Sequence, residues 1–423
     1  MKRFFLRVAW FIGLLGLGFS LYMHLRGKDL PPQAYPELEV LRVEVPETAN
    51  AFPLFLLAAE HSTLGEHKDL IDSSLADHSR ESEFMDLMLE NAVAVGFLRK
   101  GLEKEACQAP ELHGLSDVAP YIEDWVLFSS FLEASSQNAR KRGQMDEAID
   151  KAVLLLRFSG KIYAEPESLI QFLVGTSSLN SGLTAAQALA RNPEASVADL
   201  EKLQQVLAGL PPLRPAMFLT IKQEYKFVDH WIRDLAEGAL LIDDSPEKKP
   251  VITSKYMFQP NRTRATAAAY FMGCLEEGKK PYSEIDFSRF ERAELPEGAI
   301  RRILQPNPIG YLMMPLILPS QDSFSRLTSR AETQLNATRL MVVLQLMKRE
   351  GGVFPQELGS VGLTDPFDGN DFRYDPKKRI VYSVGANGTD EGGSEILING
   401  SDWENENEEK KRWNAEDLVF HLE

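Results

Sequence analysis

Apolar positions along the chain fall into three regimes. From Val8 to Met23 they are nearly continuous, and that stretch carries no charge. From Asn50 to residue 319 they recur at helical spacing, three or four residues apart, between charged positions. From Val353 onward short runs alternate between apolar and polar, the period of half-buried strands. Helices are predicted from Asn50, with Asn50 itself as N-cap, and near 80–100, 120–142, 145–159, 166–191, 197–209, 213–237 and 262–277. Ser196 and Asp199 stand in capping-box register. Gly143, Pro193 and Gly209-Leu210-Pro211-Pro212 supply the stops. Short loops between such helices predict an irregular helical bundle or a solenoid-like stack, and no steady 34-residue period marks a regular repeat. The expected fold class is therefore mainly α, closed by a small C-terminal α+β module.

The N-terminal run divides the chain further. With Phe4, Phe5 and Leu6 it reaches residues 4–23, long enough to cross a bilayer once Arg7 snorkels to the interface. A cleaved signal peptide would fit the same length, but Tyr22-Met23-His24-Leu25-Arg26 offers no small-x-small cleavage site. Basic residues stand on both flanks, Lys2, Arg3 and Arg7 before the run and Arg26 and Lys28 after it, so charge asymmetry decides weakly, and the acidic chain beyond Lys28 favours the N-terminus inward. The expectation is a single-pass protein of a bacterial inner membrane, its bulk in the periplasm. Residues 1–28 then form a cytoplasmic tip and anchor, 29–49 an extended proline-bearing spacer with room for one short strand, 50–319 the helical body and 320–423 the final module. A loop is expected at 243–262. Residues 278–322, punctuated by prolines, are expected to wrap the body.

The final module carries the most specific pattern. A helix from Asp322 to Glu350 presents a broad apolar face and stops at Gly351-Gly352. Val353-Phe354-Pro355-Gln356-Glu357-Leu358 and Asp365-Pro366-Phe367-Asp368-Gly369 follow. Next come strands at Phe372–Asp375 and Arg379–Val384 around an Asp-Pro-Lys-Lys turn, a glycine- and acid-rich loop, and a closing strand from Asp417 to Leu422. This ordered string, with Tyr382-Ser383-Val384-Gly385-Ala386-Asn387-Gly388 at its centre, resembles the globular part of the major pseudopilins, the filament subunits of type II secretion. The resemblance covers about 100 residues. In that family the membrane segment begins the same long helix; here it lies far upstream, with no prepilin-peptidase site before it.

The resemblance implies calcium in the loop 383–395, held by the Val384 carbonyl, Asn387, Asp390, Glu391 and Asp417. Asn387 stands where the family usually has aspartate. Calcium seeks six to eight oxygens, which carbonyls and carboxylates on a glycine-rich turn can supply together. The plainer reading of the same residues is an Asn-Gly turn with solvated acids.

Composition narrows the function classes. The chain has 423 residues, a net charge of −16 and a pI near 5.1, so it lacks the basic face that nucleic acid requires. No P-loop or GxGxxG cradles a nucleotide, no Gly-x-Ser-x-Gly elbow appears, and the seven histidines form no metal-binding spacing. Cys107 and Cys274 can be either one bridge or two buried thiols. Residues 351–423 hold 16 acids against 7 bases, concentrated in Asp402–Trp413. What remains is a membrane-anchored, extracytoplasmic interaction or scaffold protein with a protein partner, associated with a secretion or pilus-like system. The alternative is an envelope hydrolase using carboxylates of the helical body.

Overall fold

The computed structural model describes residues 17–18, 27–76, 80–111, 119–237, 257–290, 306–359, 362–398 and 411–423. Over the described residues the chain is mainly helical, with a small antiparallel sheet near the C-terminus. The expected anchor at 4–23 and most of the acidic run at 402–413 lie outside the described residues. Among those described, no helix is long and apolar enough to cross a membrane.

Helices α1 (Phe52–Glu60), α2 (Lys68–Ala76), α3 (Glu81–Glu90) and α4 (Ala92–Leu102) pack around the first half of α5 (Tyr121–Lys141). Trp125 is their centre, fully buried, with the rings of Phe52, Phe55 and Phe158 edge-on at 6.1, 6.4 and 6.4 Å. Then α6 (Met145–Ala164), α7 (Leu169–Ala190), α8 (Val197–Ala208) and α9 (Leu213–Glu237) follow on short loops and bury one continuous apolar core. The backbones of α6 and α7 approach closely because Gly175 and Gly182 leave room: a Cβ at Gly175 would sit 2.8 Å from the Tyr163 nitrogen. The Ser196–Asp199 capping box forms as expected, the Ser196 hydroxyl accepting the Asp199 N–H at 3.2 Å and the Asp199 carboxylate accepting the Ser196 N–H at 2.9 Å.

Helix α10 (Pro260–Glu277) and the short α11 (Pro308–Ile317) complete the body, and α12 (Gln321–Gly351) runs out of it. Phe324, Ala331 and Leu335 of α12 belong to the main core, whereas Leu340, Met341 and Leu344 belong to the C-terminal one. Gln187 of α7 donates to the Thr338 hydroxyl of α12 at 2.8 Å where the two cores meet. Gly352, at φ +79°, ends the helix.

Strands β1 (Arg373–Asp375), β2 (Ile380–Ser383) and β3 (Leu418–His421) form the sheet in that order, with Tyr374 opposite Val381 and Tyr382 opposite Val419. The turn before β2 is set by Asp375, whose Oδ1 accepts the N–H groups of Lys377 and Lys378 at 2.8 and 3.0 Å. Val381, Leu418 and Phe420 pack onto α12.

Several boundaries differ from the sequence expectation. The helix expected at 80–100 breaks at Asn91, whose buried side chain accepts the Thr63 N–H at 3.0 Å and donates to the Thr63 hydroxyl and the Leu87 carbonyl. Asn50 lies one residue before the N-cap position; its oxygen accepts the N–H groups of Phe52 and Gln108 and so ties α1 to the chain after α4. Residues 29–49 form no strand. They make 3₁₀ turns at Pro36–Leu38 and Glu47–Ala49, bury Leu38, and leave Leu41 and Val43 exposed. Within 278–322 the chain does more than wrap: Tyr282 and Ser283 donate backbone N–H groups to Pro366 and Phe367, and α11 forms behind Pro308.

Candidate functional site

The loop leaving β2 is shaped by glycines and closed by acids. Gly385, Gly388, Gly392 and Gly393 all have positive φ. At Gly393 (φ +77°) a Cβ would also fall 2.5 Å from Ile380 Cδ1, so only glycine passes there. Asp417, just before β3, draws the loop down: its Oδ2 accepts the Gly393 and Ser394 N–H groups at 2.8 and 3.0 Å. Asp390 accepts the Tyr382 hydroxyl at 3.2 Å and the Gly392 N–H at 2.9 Å, with Arg373 Nε 3.6 Å away.

Two carboxylate oxygens are left over. Glu391 Oε1 accepts the Asn387 side-chain amide at 3.1 Å, but Glu391 Oε2 is shielded from solvent and has no hydrogen-bond partner. Asp417 Oδ1 is likewise shielded and makes no full hydrogen bond, although the Glu391 backbone N–H is directed at the Asp417 carboxylate. Burial raises both carboxyls above the ordinary range. The charges of Asp417 and Glu416 push Glu391 further up, and that of Asp390 does the same to Asp417. Tyr382, buried beside Asp390, is pushed up to about 12.

The structure thus brings Asn387, Asp390, Glu391 and Asp417 to one loop, with Val384 at its root. The Val384 side chain lies in the C-terminal core, and its N–H donates to Asp365 Oδ2 at 3.0 Å. The Asn-Gly turn is real: Asn387 Oδ1 accepts the Thr389 N–H at 3.1 Å and Gly388 adopts φ +70°. Among the described residues no group of three or more His, Cys, Asp or Glu side chains is arranged to hold a metal. Calcium is nonetheless served by backbone and amide oxygens as well as carboxylates. Glu391 Oε2 and Asp417 Oδ1 are the orphaned, hard-oxygen donors a divalent cation would satisfy, and unpaired burial of such atoms is otherwise costly.

The residue that organises this site is one to which the sequence pattern assigns no role. Asp365 is fully buried and accepts four hydrogen bonds, from the Phe367 and Val384 N–H groups, the Ser383 hydroxyl and Arg373 Nη1. The Asp-Pro-Phe-x-Gly string was its signal, since an aspartate before proline at a tight turn can cap its own chain two residues on.

Two cavities bear on the hydrolase alternative and on the surface. One of 390 Å³ is lined by Arg214, Glu332, Arg339 and Asp365. Both acids are raised by burial, yet Asp365 is fully engaged and Glu332 accepts from Arg214 at 3.2 Å, so the cavity holds no uncommitted pair for acid–base work. The other, of 610 Å³, runs between α10 and α11. Cys107 and Cys274 are free thiols, each buried in a different core.

No family model, curated protein or solved structure matches the chain.

Proposed function

We propose that the chain is a membrane-anchored, extracytoplasmic interaction protein whose C-terminal module is closed by calcium. The observation that carries the calcium assignment is the pair of orphaned oxygens, Glu391 Oε2 and Asp417 Oδ1, on one loop. The charge-free run from Val8 to Met23 and the acidic chain after it support the anchor. The order of elements in residues 320–423, a long helix under a three-stranded sheet with its loop between β2 and β3, supports the pseudopilin-like reading and a partner in a secretion or pilus-like assembly. The body then serves as an irregular helical bundle that carries the module.

Calcium would hold the loop, with Asn387, Asp390, Glu391, Asp417 and backbone carbonyls as oxygen donors, and would do structural work, neutralising acids that otherwise repel. The test is affinity purification of the full chain from solubilised membranes, in calcium and in chelator. Co-purification of secretion-assembly subunits that is lost in chelator is the expected result. Recovery of the chain from the soluble fraction, or a partner set unchanged by chelator, overturns the reading.

A further inference from the structure

We infer that α11 lies against the lipid surface, beside the point where the N-terminal segment leaves the bilayer. The inference rests on the anchor reading above and adds where the body sits.

The sequence supplies the first half of the argument. Pro308 to Pro319 is free of charge, although it belongs to an acidic chain. Its inner side is committed. Pro308, Gly310 and Met314 are buried, and a Cβ at Gly310 would collide with the Thr263 hydroxyl of α10. Its outer side carries Leu312 and Leu316, one turn apart on the helix, exposed by 43% and 81%. A lone exposed leucine means nothing, but an aligned pair on a helix without charge leaves a continuous apolar stripe facing outward. The 610 Å³ groove between α11 and α10 is lined by Tyr270, Phe290, Met314 and Leu318 together with the charged Arg262, Arg289 and Asp322.

The second half fixes the occupant. Asp29 caps α10 from the far end of the chain: its carboxylate accepts the Asn261 and Arg262 N–H groups at 2.8 and 3.0 Å, and the Leu30 carbonyl accepts the Asn261 side chain at 2.9 Å. From Asp29 back to Met23 is six residues, a reach of at most about 21 Å. From the Thr263–Gly310 contact to Leu316 is six residues of helix, about 9 Å. Both reaches start from the N-terminal end of α10, where Asp29 and the Thr263–Gly310 contact lie. Exposed Lys28 precedes Asp29 here, and Arg262, whose Nε donates to Gln259 Oε1 at 2.7 Å, adds a second positive charge at this end of α10, the sign that lipid phosphates attract. A peptide partner would need nothing of this tether; a bilayer is already brought there by it.

The full chain, reconstituted in phosphatidylcholine–phosphatidylglycerol vesicles, tests this with an environment-sensitive fluorophore on Leu316→Cys. Cys107 and Cys274 are 3% and 1% exposed and leave the introduced thiol as the labelled one. Val353→Cys is the comparison site, exposed by 71% just past the far end of α12, a helix about 46 Å long. The expected result is a blue shift, a several-fold rise in emission and quenching by doxyl-lipid at position 316, with none at 353. Leu312→Cys should behave like 316 and serves if the first variant folds poorly. Water-like emission at both leucine positions, in protein that floats with the vesicles, overturns the inference and leaves the anchor standing. Protein that fails to float overturns both.

Discussion

The Asp365 carboxylate accepts the Val384 N–H at 3.0 Å, which pins the end of β2 to the turn that precedes β1. Because the same side chain also accepts from Phe367, Ser383 and Arg373, its loss strands several buried donors at once. Asp365→Ala should lower the stability of the chain by about 3 kcal/mol or more, at roughly 1–3 kcal/mol per unsatisfied buried group. Urea unfolding followed at the C-terminal core would read the loss. A shift under about 0.5 kcal/mol, the range of ordinary surface changes, would mean the pin is not tight.

The loop should show the opposite pH behaviour from an ordinary ion pair. Glu391 and Asp417 have carboxyls raised by burial, so the folded loop accepts them most easily protonated. Without calcium, the share of stability contributed by these two carboxyls should be greatest below the usual carboxylate pKa of about 4 and should decline as pH climbs through their raised values. Calcium at a hundredfold over its dissociation constant should add about 2.7 kcal/mol at neutral pH and flatten that decline. Melting curves in calcium and in chelator at matched ionic strength, repeated with Asp417→Asn, would check both statements. Identical curves at pH 7 would remove the cation from the account.

Glu277, buried at the end of α10, titrates the other way. Lys280, the Asp286 N–H and Arg289 hold its carboxyl down to about 2. Its contribution is complete above the unfolded carboxylate pKa of about 4.3 and fades as pH falls toward 2. Glu277→Gln should therefore lower the melting temperature at pH 7 and match the wild type near pH 2. A difference that persists unchanged at pH 2–3 would point to packing rather than charge.

The sequence revealed its long helices because α5, α6, α8 and α9 repeat an apolar face over several turns and end near glycine or proline, whereas α7 and α12, buried on most sides, showed by their length and their stops. It concealed α2 and α11 for opposite reasons. Lys68–Ala76 is too short and polar to raise a periodic signal, and Pro308–Ile317 is apolar all round, with Pro315 inside it. The break at Asn91 is a tertiary effect, since what the residue satisfies is the backbone of Thr63 on a distant loop. At the site, Asn387, Asp390 and Glu391 could be read from one stretch of glycines and acids. Asp417 joins them only through β2–β3 pairing, and Asp365 acts through four partners spread over 18 positions of sequence.

Helix α12 gives the two cores a single spine. Phe324 and Leu344 sit on one unbroken rod, so neither core can loosen without fraying backbone that the other also uses. What grips the chain at Asp417 is then felt well beyond the loop: a cation there should slow amide exchange along the whole of α12, as far as the end that adjoins α11.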